Sequence, residues 1–184
     1  MRKLQIAAVA AAALAAAGLG VAGATANAAT TAPARTTQTA SWGDGSAQAS
    51  EKVVEAFIQD VLNDHQEASG FFTANATWTG GTLGTVTGGS NVAALFDSAV
   101  TSVPDEHADL EDILAEGDEV AVHVLLSGTQ EGPVVDIPAT GRHLQWNSLD
   151  IFHISDGKIA SVQDGDDWTA ILYETGTYTP PWIS

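Results

Sequence analysis

No cysteine occurs among the 184 residues, which excludes a disulfide framework, a thiol nucleophile and a thiolate metal site. Basic residues are scarce as well: six Lys and Arg stand against 23 Asp and Glu, a formal charge of −17. A surface so short of cations cannot replace the counterions of nucleic acid or of an anionic membrane, so neither is expected as a partner. The acidity reads first as a solubility device. No His-x-x-x-His pair or Asp/Glu cluster sits at ligand spacing, so no metal is expected. The Gly-rich run from Gly80 to Gly89 carries no lysine at phosphate-loop spacing, there is no Gly-x-Ser-x-Gly elbow, and no cofactor is expected.

What is present begins with a targeting pattern. Met1-Arg2-Lys3 precedes an apolar run from Ile6 to Ala17 and small residues ending in Ala26-Asn27-Ala28, the order of a secretory signal with cleavage near Ala28. A retained anchor is the alternative, although the run is mostly Ala and Gly. Cleavage would leave four basic residues against the same 23 acidic ones, a formal charge of −19, in a chain long enough for one domain with its own core. Thr30 to Ser50 is Thr, Ala, Ser, Gln and Gly with Trp42 as the large exception, and reads as a flexible leader. The domain organisation expected is thus signal 1–28, leader 29–50, domain 51–176 and tail 177–184.

Ser50 is a candidate N-cap for an amphipathic helix carrying Val53, Val54, Phe57, Ile58, Val61 and Leu62 on one stripe, ending near Asn63-Asp64. A strand is predicted over Ala74 to Thr79, then a Gly-rich turn region, then a second helix capped by Ser90 and ended by Pro104. Beyond Pro104 the period becomes extended: Ala108–Ala115, Val120–Thr129, His143–Ile154 and Ile159–Asp164, the last two joined by the hairpin signal Ser155-Asp156-Gly157-Lys158. Asp167 to Tyr173 predicts a short closing helix capped by Asp166 or Asp167. Helices first and a strand meander last is an α+β order, with helices on one face of a curved antiparallel sheet.

Four segments in sequence order, Leu110 to Val122, Ser127-Gly128-Thr129, Ile137 to Arg142 and Asp150 to Ile159, closely resemble the SnoaL-like polyketide cyclase or ester cyclase family. The resemblance extends over the helix at Val53–Asn63 and the stretch Gly88–Pro104. It implies an NTF2-like cone, a strongly bent antiparallel sheet wrapped around helices with a deep pocket, commonly as a homodimer. It further implies cofactor-independent ring closure of a small hydrophobic carbonyl compound, using a carboxylate on the last strand and a histidine on the strand before it. The positions corresponding to those two groups are Ser161 and Asn147, neither of which titrates near neutral pH.

Asp164 and His123 are therefore the catalytic candidates. Whether Asp164 faces the interior depends on the hairpin, because a two-residue turn and a bulged one differ by one residue of register, and one residue reverses every side chain. In the other register Asp164 is a solvated edge charge. Trp78 and Trp146 are the aromatic candidates for a ligand wall, and Asn147, Ser161 and Gln163 the candidates for a neutral polar patch on it. A secreted binding module for a small apolar metabolite is the competing function.

Overall fold

The structure is a computed structural model and describes residues 45–80 and 84–183; the expected signal and most of the leader lie outside them. Among the described residues no helix is long and apolar enough to cross a membrane. Helix α1 spans Gly45–Phe57 and runs on through a π-helical turn, Ile58–Asn63. A 3₁₀ turn at Ala68–Phe71 leads into β1, Phe72–Gly80, and a short β2, Gly84–Thr87. Helix α2 covers Gly89–Ser102. Then come β3, His107–Glu116; β4, Glu119–Thr129; β5, His143–Ser155; β6, Lys158–Asp164; and α3, Trp168–Glu174. The six strands form one sheet in the order β2-β1-β6-β5-β4-β3, antiparallel except for the β1–β6 pair. This is the α+β order expected from the sequence, with helices against one curved six-stranded sheet.

Three local expectations change. Ser50 is not an N-cap: α1 already begins at Gly45, so part of the expected leader is helical, and the Ser50 hydroxyl donates to the Gly117 carbonyl at 2.9 Å. That bond ties α1 to the β3–β4 turn. Ser90 lies inside α2, whose N-cap is Gly88 at φ 98°, a conformation glycine adopts without strain. The Gly-rich stretch is not all turn, since β2 within it pairs with β1 from Thr77↔Thr87 to Gly80↔Gly84.

The core forms because two periods meet. On β4 and β5 the even-numbered residues Val120, Val122, Val124, Leu126, Leu144, Trp146, Phe152 and Ile154 are buried and the odd-numbered ones face away. Helix α1 lays Val54, Phe57, Ile58 and Val61 onto that face, and α2 adds Val92, Ala93 and Phe96. Phe57 is the hub, with ring centroids 5.1 Å from Phe96, 5.6 Å from Phe71 and from Phe72, 6.0 Å from Phe152 and 6.3 Å from Trp78. At the open edge, Asn63 acts as a substitute strand partner: its Nδ2 donates to the Ala108 carbonyl at 3.1 Å and its Oδ1 accepts from Ala108 N at 2.7 Å.

Candidate active site

The hairpin decides where the acids go. Asp156 and Gly157 both have positive φ, 52° and 71°, so the turn is the two-residue type I′ with Ser155 opposite Lys158. One pair further on, the register slips: Ile154 faces Ile159, but His153 faces Ser161, leaving Ala160 as a bulge. From there Val162 lies opposite Phe152 on the helix-facing side, and Asp164 follows it on that side. Of the two turns left open by the sequence, the two-residue one forms, and a bulge further along β6 at Ala160, which belongs to neither, turns Asp164 inward.

The same slip turns three candidates outward. Ser161 and Gln163 project from the opposite face, where Gln163 pairs with the half-exposed Ile151. Asn147 is exposed there too, its Oδ1 2.8 Å from His123 Nε2 on the neighbouring strand. The expected polar patch exists as a shared face, but it is the outer face rather than a pocket wall. His123 belongs to the same outer row of β4 and is equally remote from the interior acids. Strand alternation is the reason in each case.

Trp78 and Trp146 are both on the inner face. Trp78 packs 5.1 Å from Phe96 and 6.2 Å from Phe152, and beside Asp164 it favours the carboxylate without offsetting the burial that raises it. Trp146 Nε1 donates to Asp166 Oδ1 at 2.9 Å. Asp166 is thus not a helix cap; Asp167 is, accepting from Ala170 N at 3.0 Å. The chain after β6 stays beside β5, with Asp167 N donating to the Asn147 carbonyl at 2.8 Å, and this swings Asp166 in against Ser148.

Around Asp164 the interior collects further carboxyls, of which Glu106 was not singled out from the sequence. Asp150 is buried on β5, accepting from Ser148 Oγ at 2.6 Å and from Gly165 N at 3.1 Å. Glu106, just ahead of β3, reaches the same region and feels the charge of Asp166. Burial first, and then the neighbouring Asp166 and Asp150, push Asp164 up to about 7. Burial and Asp150 push Asp166 up to about 6, against the pull of Trp146 and Ser148. Glu106 is pushed up to about 7 by burial and by Asp166, and burial raises Asp150 against its two hydrogen bonds. A carboxyl that titrates near neutrality can take a proton from carbon and return it to oxygen. The signal available in sequence was Asp150, which shares β5 parity with Trp146 and Phe152.

Two predictions arise from this cluster. Carboxyls that hold protons more tightly folded than unfolded favour the folded state at low pH, and that advantage is lost as pH rises from about 4 through the folded values near 6 and 7. The thermal midpoint should be higher at pH 5 than at pH 8, and Asp164→Asn should narrow the gap; a gap that Asp164→Asn leaves unchanged would contradict the assignment. Second, a Cβ on Gly80 would press on the Asp164 carbonyl oxygen and lie 2.7 Å from Asp164 Oδ2. Gly80→Ala should cost about 2 kcal/mol by denaturant titration, because backbone must move to admit it.

Comparison with known proteins follows the same lines. The family model described as SnoaL-like polyketide cyclase matches residues 52–174. Among solved structures, a candidate SnoaL-like polyketide cyclase from Jannaschia sp. CCS1 aligns at TM-score 0.68 and 17% identity, covering 74% of this chain and 98% of that one. TsrD from Streptomyces laurentii aligns at 0.64 and 24% identity, over 71% and 97% of the two chains. An LEH-like epoxide hydrolase from M. tuberculosis aligns at 0.58 and 16% identity, over 71% and 92%. At these identities the structural likeness establishes the fold. No match was found among curated proteins.

Proposed function

Because the chain belongs to the SnoaL-like polyketide cyclase family, we propose that it is a cofactor-independent acid–base enzyme that closes a ring in a small hydrophobic carbonyl compound. The observation that carries the reading is Asp164, inward-facing, half-buried against Trp78, and raised to about 7. Its carboxylate removes a proton from the carbon beside a carbonyl. The enolate so formed attacks a second carbonyl of the same molecule, and Asp164 returns the proton to the new alkoxide oxygen. The product is an isomer of the substrate, so no co-reactant is required. A protonated Glu106, which burial raises to about 7, donates a hydrogen bond to the enolate oxygen during the step. The apolar surroundings of Asp164, with Trp78 and Trp146 on the same inner face, favour an apolar substrate.

The same reading includes two expectations from the sequence. The signal-like start places the protein outside the cell, where a chemically stable substrate is required. Self-association as a homodimer would use the outer sheet face, where Leu149 is 65% exposed and Ile151 50% exposed. The test is turnover of a panel of dicarbonyl compounds by the wild type and by Asp164→Asn, with folding of both checked by circular dichroism. Turnover by the wild type that disappears in Asp164→Asn supports the reading; equal turnover by both overturns it.

A further inference from the structure

A hollow lies about 20 Å from these acids, at the other end of β6. It is open, has a volume of about 360 Å³, and has mostly apolar walls. Helix α1 contributes Lys52, Val53 and Ala56, the 3₁₀ turn contributes Phe71, and the β5–β6 turn contributes Gly157 and Lys158. Gly70 opens the remaining side, with nothing within 4 Å of where its Cβ would be.

The charge arrangement is the informative part. Only three Lys or Arg side chains occur among the described residues of this strongly acidic chain, and two of them converge on this hollow. The third, Arg142, is engaged elsewhere, donating to the Glu174 carbonyl at 3.0 Å. No carboxylate lines the hollow, and neither Lys52 nor Lys158 forms an ion pair among the described residues.

We propose that the hollow between Lys52 and Lys158 binds a small amphipathic carboxylate, its apolar body against Val53, Ala56 and Phe71 and its carboxylate between the two ammonium groups. An apolar floor supplies most of the affinity, and the two exposed charges select an anion over a neutral or cationic analogue. The site is separate from Asp164 and does not depend on the reaction assigned there.

The probe is octanoate, titrated into the full chain and followed by backbone amide shifts, with octylammonium as the charge-reversed control. Shifts are expected at Val53, Ala56, Gly70 and Lys158, and none from octylammonium. Lys52→Gln combined with Lys158→Gln should weaken octanoate about tenfold, the effect of two exposed ion pairs. Both positions are exposed, so the fold is not at stake. Gly70→Leu, which fills the hollow without meeting a neighbouring atom at Cβ, should remove the shifts independently. Equal binding of octylammonium, octanoate shifts that survive the double substitution, or shifts centred on Trp146 and Asp164 would each overturn the proposal.

Discussion

Phe57→Ala is expected to destabilise the domain by about 4 kcal/mol and to lower its thermal midpoint by about 10 °C. The residue is 1% exposed and its ring lies within 6.3 Å of five others, so truncation leaves a void bounded by α1, α2 and the sheet at once. Edge-to-face pairs with Phe71, Phe72 and Phe96 add to the lost burial by about 1 kcal/mol each at most. Collapse of the void is limited because Phe57 ends α1 where the π-helical turn begins, and that turn is held to β3 through Asn63. Urea titration measures the loss directly. A cost below about 1 kcal/mol would mean that the neighbouring rings close over the gap and that the aromatic cluster is not the keystone of the cone.

Asp164→Asn is expected to lower turnover of a competent carbonyl substrate by about 10²–10⁴, the usual contribution of a positioned proton-transfer group. Asparagine fills the same space beside Gly80 but neither accepts the proton nor returns it. The pH profile supplies a sharper criterion. The working form of Asp164 is the carboxylate, so kcat/KM should rise with pH through about 7. Replacing Asp166 by Asn removes a negative neighbour that disfavours that carboxylate, so the rising limb should move to lower pH. A limb that stays in place in Asp166→Asn would show that the two carboxyls do not sense each other.

Most elements were legible because their hydrophobic period is strong. The stripe from Val53 to Leu62 specified α1, and alternation through β4 and β5 specified two long half-buried strands. Asp-Gly between two such strands specified a hairpin, and the structure decided for the two-residue turn. Element ends were less legible. Gly45–Ala49 has little apolar character of its own, and becomes the start of α1 where Ala47 is buried and Ser50 meets Gly117 across 67 residues. A local rule cannot weigh a partner that far away.

The candidate site shows the division most clearly. Composition and order alone established an acidic, cysteine-free α+β chain whose last strands carry Asp150 and Asp164 among apolar residues. Which of those carboxyls meet was left to the tertiary structure. A single unpaired residue, Ala160, reverses the facing of everything after it, sending Asp164 inward and Ser161 and Gln163 outward. The strand's own pattern fits either facing until β1 and β5 flank it. Asp166 likewise resembles a helix cap until the chain beyond β6 pairs with Asn147 and brings it under Trp146. Side-chain period is a property of the local chain, whereas register is a property of the pair of strands, and proton chemistry here depends on register.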